Sequence, residues 1–294
     1  MIQDQSSLYL IMPKYLLIAC AILIMHPAVA FQKKSKKVDA DLTVVSFNIR
    51  YGTPGDGENK WKSRKAKVFN IFKKYKKGII GVQEALPNQI DEILKEVPEL
   101  GVIYRTRMAD NTQGEATPFF YNKALWEPLE EETYWLSDTP EVPASTSWGN
   151  TLPRITTAVL FQSKSNGRKV RILNTHLDHR SQPSREKSVA LMLARIAEKN
   201  DGILTLVMGD FNAKPDNEAI AKMKEEFKDS YTGGRFEGCT FHNWLGGSNC
   251  PRIDYIFYPE SSSLEMVESG IDRYKKGRYF PSDHYPVYAR FSFR

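Results

Sequence analysis

The run ILTLVMGDFNAKPD, Ile203 to Asp216, passes from an apolar stretch to an acid and an amide within a few residues. Ile203 to Met208 predicts a buried strand, and Gly209, Asp210, Phe211 and Asn212 form its exit. On extended backbone, side chains two residues apart share a face, so Asp210 and Asn212 are expected to project together. That pairing suits a cation or a reacting water, and it also suits a simple turn.

Five other apolar runs end in the same way. SFN closes one with Asn48, VQE another with Glu84, and NTHLDH supplies Asn174, His176, Asp178 and His179. RIDY carries Asp254, and PSDHYP carries Asp283 and His284. An Asn or Asp after a strand commonly caps a turn, and a lone histidine is often structural. Six such endings together point instead to a site built at strand ends, where α/β scaffolds place their chemistry. Hard oxygen donors without accompanying cysteine select magnesium, manganese or calcium over zinc. Two imidazoles and several carboxylates around such a cation suit phosphoester hydrolysis. The chain has no GxSxG elbow and no phosphate-binding GxxxxGK[ST] loop, which disfavours serine-esterase and NTPase chemistry.

Between these endings, strands and helices alternate. Strands are predicted at 42–50, 78–84, 102–106, 118–122, 133–137, 156–162, 169–177 and 203–210. The late segments TFHNW, RIDYIFY and YPVYARFSF read as strands too. Helical spacing marks Trp61 to Tyr75, a short helix introduced by Pro87, a helix after Ser184 as cap, and Asn217 to Phe227. No repeat, linker or composition break interrupts residues 41–294, so a single layered α/β domain with mixed sheets is expected.

The formal charge of +6 and pI near 9.0 favour anionic partners mildly, and an ordinary lysine-rich surface equally well. At the N-terminus, Lys14 precedes the apolar run Tyr15 to Met25, and small residues follow up to Ala30. This pattern predicts a signal peptide over residues 1–30, a flexible lead-in over 31–40, and export to the periplasm or medium. Cleavage after Ala30 is favoured over lipoprotein anchoring through Cys20, because apolar residues continue beyond that cysteine. Cys239 and Cys250 then remain as a pair that an oxidising compartment could bridge, with two separate buried thiols as the alternative.

The ordered set SFNIR, VQE, NTHLDH, GDFN, RIDYIF and SDHYP resembles the endonuclease/exonuclease/phosphatase superfamily, which includes pancreatic deoxyribonuclease, abasic-site endonucleases, deadenylases and neutral sphingomyelinases. The chain looks closest to an exported bacterial branch, with WK-SR near Trp61, TYWLSDTPEVP and LPRITT as further matches. The resemblance spans about Leu42 to Phe293. It implies a four-layered α/β sandwich of two packed mixed sheets flanked by helices, and a hydrolase that needs Mg2+ or Mn2+. It also implies roles by position. Glu84 and Asn48 would hold the metal, and Asp283 would complete its sphere. Asp210 would activate water, with Asn212 holding that water or a phosphate oxygen. His176 and His284 would stabilise the transition state, and Asp254 would orient His284.

Arg154, Asp178, His179 and Tyr121 are candidate substrate contacts. Each has a plain alternative: surface arginine, loop-ordering residues and core tyrosine respectively. Expected substrates are phosphate esters: nucleic acid, nucleotide, lipid headgroup or sugar phosphate. A sphingomyelinase-like diesterase and a non-catalytic binding protein on the same fold are the competing readings. A monomer without a stable protein partner is expected.

Overall fold

The computed structural model describes residues 40–233, 238–277 and 279–294. The expected signal peptide and nearly all of the lead-in therefore lie outside the described residues. Two six-stranded sheets carry the fold. The first has the order β11-β12-β1-β2-β4-β3 and the second β5-β6-β7-β8-β10-β9. In the first sheet these strands are β1 (Leu42–Asn48), β2 (Ile79–Gln83), β3 (Leu100–Ile103), β4 (Phe119–Asn122), β11 (Leu264–Ile271) and β12 (Val287–Phe293). In the second they are β5 (Trp126–Trp135), β6 (Ile155–Ser163), β7 (Lys169–His176), β8 (Thr205–Asp210), β9 (Lys228–Asp229) and β10 (Asp254–Tyr258). Helices α1 (Trp61–Tyr75) and α2 (Pro87–Glu96) belong with the first sheet, and α3 (Gln182–Lys199) and α4 (Glu218–Glu226) with the second.

The period of two along each strand sorts residues into layers. Val45, Phe47, Ile80 and Val82 face outward and pack with Val68, Phe72, Ile90 and Ile93 of α1 and α2. Val44, Ile79, Ile172, Leu206, Met208, Ile256 and Ala289 face inward and form the core between the sheets. Val207, Leu173 and Phe257 face the other way, onto Val189 and Met192 of α3 and Ile220 of α4. The result is the four-layered α/β sandwich implied by the resemblance. The sheets approach closely at Gly81, where an added Cβ would lie 2.5 Å from Met208 Cε.

Several local expectations need correction. Ser184 lies inside α3, and the cap is Ser181, whose Oγ accepts from Ser184 N at 3.2 Å. TFHNW is not a strand: it carries one isolated bridge, Phe241 to His284, and then turns. Its buried residues answer to a small separate cluster with Cys239, Phe280 and Tyr285 rather than to a sheet. Strand β5 runs well before residue 133, although its exposed Glu130 and Glu131 lack an apolar alternation. Residues 102–106 form a strand only as far as Ile103. Strand β11 was not expected, because its outer positions are partly exposed and polar.

Candidate active site

The inward-facing strand positions change from apolar to polar at one end of the sandwich. Asn48 continues the face of Val44, Asp210 that of Met208, and His176 that of Ile172. Register aligns three of these groups across neighbouring strands. Asp210 pairs with His176 of parallel β7 on one side and with Asp254 of antiparallel β10 on the other. This approach requires Gly209, whose φ is +150° and where a Cβ would lie 2.1 Å from Thr175 O.

A buried polar layer separates this end from the apolar core. Asn174 donates from Nδ2 to Val82 O at 2.8 Å and Pro118 O at 3.1 Å, joining the two sheets. Its Oδ1 accepts from Gln83 Nε2 at 2.6 Å, and Gln83 also donates to Ser46 Oγ at 3.1 Å. Losing one partner in such a layer costs about 1–3 kcal/mol, so it holds the site in place.

Asn48 is the hub of the polar end. Its Nδ2 donates to Asp210 Oδ2 at 2.9 Å and to Glu84 Oε1 at 3.1 Å. Glu84 Oε2 accepts from Tyr51 N at 3.1 Å. Glu84, Arg50 and Asn212 all adopt left-handed backbone, with φ of 61°, 55° and 47°. Such conformations cost on the order of 1–3 kcal/mol each and persist where the surroundings enforce them. The expectation of extended backbone through Asn212 is therefore corrected. The strand stops at Asp210, Asn212 N donates to Asp210 Oδ1 at 2.9 Å, and its side chain donates to Leu177 O at 3.1 Å.

Two buried imidazoles flank Asp210. His176 Nε2 lies 3.6 Å and His284 Nε2 3.8 Å from Asp210 Oδ2. The opposite nitrogen of His284, Nδ1, bonds Asp254 Oδ2 at 2.9 Å, placing Asp254 as its orienting partner. Their charge states diverge. Burial opposes charge on His284, but Asp254, Asp210 and Asp283 outweigh it and push the imidazole up to about 10. Burial, then Arg154 and Arg107, hold His176 well below the ordinary imidazole value. Asp210 is pushed up to about 7 by burial and by Asp254, with His284 and Asn48 pulling the other way. Asp283 lies in the same cleft, its Oδ1 accepting from Ser282 Oγ at 3.1 Å. Ser282 also donates to Asn48 O at 2.7 Å, tying this loop to β1.

These groups open into a cleft of about 910 Å³. Arg154 and His179 line it; Arg154 is nearly fully buried and its Nη2 lies 2.9 Å from His179 Nδ1. Arginine only donates, so His179 accepts at Nδ1 and carries its proton on Nε2. Asp178 does not line the cleft. It accepts from Arg180 N and Ser181 N ahead of α3, and its Oδ2 lies 3.5 Å from Arg154 Nε, so it orders the loop and anchors Arg154. Burial alone would raise its pKa; the Ser181 and Arg180 N–H groups reverse that and hold the carboxyl below its usual range. Tyr121 is a partly buried residue of β4, paired with Gly101 and Ile79, its ring packed against the inter-sheet core 5.6 Å from Phe161. Mid-strand placement keeps it from the cleft, and its candidacy as a substrate contact is corrected.

Sequence reasoning missed Arg50, Asp56, Arg107, Glu115 and Lys214, which also line the cleft. Arg107 pairs with Glu115 at 2.8 Å, and Glu115 Oε2 lies 3.9 Å from His176 Nδ1. Arg50 pairs with Asp56 at 2.9 Å and lies 3.8 Å from Glu84. Arg50 directly follows Asn48-Ile49 in SFNIR and was available as a signal; Arg107 and Glu115 sit in loops without any pattern.

The donor set fits a hard cation. Oxygen atoms and imidazole dominate, and the two described cysteines are joined to each other, Cys239 to Cys250, with Cα atoms 4.6 Å apart. Asp210, Asp254 and His284 form a buried group whose donor atoms lie within 4.8 Å of one another. Asp254 Oδ1 is buried without a hydrogen-bond partner.

This architecture and site define a metal-assisted phosphoester hydrolase by class. Residues 45–284 match the Endonuclease/Exonuclease/phosphatase family, and the chain belongs to it. Among solved structures, an endonuclease/exonuclease/phosphatase of Bacteroides vulgatus is 30% identical, with a TM-score of 0.80 over 86% of this chain and 99% of that one. A mannosyl-6-phosphatase of Bacteroides thetaiotaomicron is 27% identical, with a TM-score of 0.79 over 86% of this chain and 100% of that one. The catalytic domain of human nocturnin, with a bound sulfate anion, shares the fold at 19% identity and a TM-score of 0.68, covering 86% and 93%.

Proposed function

We propose that this protein hydrolyses small phosphate esters outside the cytoplasm, with Mg2+ or Mn2+ as cofactor. The observation that carries the reading is the convergence of Glu84, His176, Asp210 and His284 on one cleft, with Asn48 and Asp254 hydrogen-bonded directly to these groups. The cleft volume of about 910 Å³ matches a small-ligand site. The likeness to a mannosyl-6-phosphatase supports a sugar phosphate or a similar small ester over a duplex.

Glu84 and Asn48, with Asp283, would hold the cation, which supplies positive charge to the phosphate oxygens as they gain electron density. His284 Nδ1 bonds Asp254 Oδ2, and the surrounding carboxylates raise its pKa, which suits it to carry a proton to the substrate rather than to hold the cation. Asp210 accepts a proton from the attacking water; its elevated pKa makes it basic enough near neutrality. The water oxygen bonds to phosphorus as the ester P–O bond breaks, and His284 protonates the departing oxygen from Nε2. His176, neutral, donates a hydrogen bond to a non-bridging oxygen. The 3.8 Å between His284 Nε2 and Asp210 Oδ2 lets the proton return once product leaves.

Hydrolysis of p-nitrophenyl phosphate and bis-p-nitrophenyl phosphate with Mg2+, Mn2+ and chelator tests this reading. Chelator is expected to abolish turnover, and Glu84→Ala to shift the metal titration to higher concentration. Titrations that superimpose for wild type and Glu84→Ala would remove Glu84 from the cation. Export is supported by the apolar stretch before Ala30 and by the disulfide Cys239–Cys250. N-terminal sequencing of the protein from its native host is expected to begin at Phe31; retention of the apolar stretch would contradict export.

A further inference from the structure

The disulfide Cys239–Cys250 closes a loop of unusual backbone beside the catalytic groups. Asn243, Trp244, Gly246 and Gly247 all adopt left-handed conformation, with φ of 45°, 66°, 73° and 93°. Asparagine and glycine tolerate this region; a bulky aromatic residue does not. Trp244 is thus held against its preference. The holding contacts are specific. His242 N and Asn243 N both donate to Asp283 O, at 2.9 and 3.1 Å, and Leu245 N donates to His242 O. The buried Arg64 guanidinium lies 5.1 Å from the Trp61 ring and 5.5 Å from the Trp244 ring. Arg64 is itself fixed by donating to Arg50 O and Pro281 O, on two loops that carry site residues.

The indole, partly exposed, lines the catalytic cleft together with Phe241 and Tyr51. A loop that only needed to turn here would carry glycine or asparagine at position 244. The geometry points to Trp244 as the specificity-determining residue for the leaving group, an aromatic wall that favours phosphate esters of a ring-bearing alcohol over acyclic ones. Apolar C–H faces of a pyranose or the face of a nucleoside pack on an indole, whereas a short polyol offers no such face. The catalytic groups contact the phosphate, which both kinds of ester share, so they cannot make this distinction. This inference rests on the hydrolase reading above.

The test compares hexose 6-phosphate with sn-glycerol 3-phosphate. Both are primary alkyl monoesters, so bond cleavage is chemically alike and only the ring differs. Wild type is expected to favour the hexose ester in kcat/KM, mainly through KM. Trp244→Ala should lower that ratio by roughly five- to tenfold, and Trp244→Phe should restore part of it. A wild type without preference, or a Trp244→Ala variant that loses both activities equally, would overturn the assignment. Calorimetric binding of the two esters in chelator separates this inference from the hydrolase reading. Tighter binding of the hexose ester by wild type, erased in Trp244→Ala, sustains the inference even without turnover. Equal binding by wild type overturns it even if both esters are hydrolysed.

Discussion

The His176 side and the His284 side of the cleft hold the same side chain at almost the same distance from the same carboxylate, yet their surroundings push the two imidazoles in opposite directions from the ordinary value. Both imidazoles are buried, so burial alone would make both neutral. The neighbours decide. His284 faces Asp254, Asp210 and Asp283, whereas at His176 burial and the Arg154 and Arg107 guanidiniums prevail over the nearby Asp210 and Glu115. One fold thereby places an imidazole with a raised pKa and one with a lowered pKa beside Asp210, the pair to which the proposed mechanism gives different roles. Environment, not residue type, assigns the roles.

The comparison can be broken most severely at its centre. Asp210→Asn removes the group that both histidines share and the proposed base; kcat is expected to fall on the order of a thousandfold, measured by steady-state hydrolysis. Asp254→Asn strikes only the charged side. It should lower the His284 pKa toward 6.5 and reduce kcat on the order of a hundredfold, with less effect on metal dependence. Arg154→Met sharpens the neutral side by removing the second-largest influence depressing His176, after burial. NMR titration should show the His176 pKa rising, with kcat/KM down by roughly tenfold.

A stability measurement reads the same difference. With its folded value near 10 and its ordinary value 6.5, His284 contributes stability that is fully present below about 6.5 and lost as pH rises through about 10. The melting temperature of chelated protein should therefore fall between pH 7 and 10, on the order of a few degrees, and Asp254→Asn should flatten that fall. Smallest of all, Tyr121→Phe should leave kcat and KM near wild type, since its partly buried ring packs on the inter-sheet core away from the cleft.

The inner and outer faces of the strands were legible in the sequence because alternation of apolar residues carries them directly. So was the set Asn48, Glu84, His176, Asp210, Asp254 and His284, although only the first four close apolar runs: Asp254 opens β10 and His284 lies just ahead of β12. The register that puts His176, Asp210 and Asp254 in one row was not, because pairing between strands is set by tertiary packing. Arg107, Glu115 and Asp56 escaped for a related reason: each is an isolated charge in a loop or, for Asp56, a short 3-10 helix, brought to the cleft only by what folds beside it. TFHNW looked like a strand because burial, not periodicity, governs its rings: His242 packs on Phe280 and Tyr285, while Phe241 and Trp244 line the cleft. Ser184 passed for a cap three residues late, since serine at either position precedes the same apolar spacing.

The most direct measurement is 15N-detected NMR of the histidine side chains near pH 7.5 in the chelated protein, with His176 and His284 assigned by substitution. The account predicts His284 protonated on both ring nitrogens and His176 on one. Both rings neutral, or both charged, would contradict it.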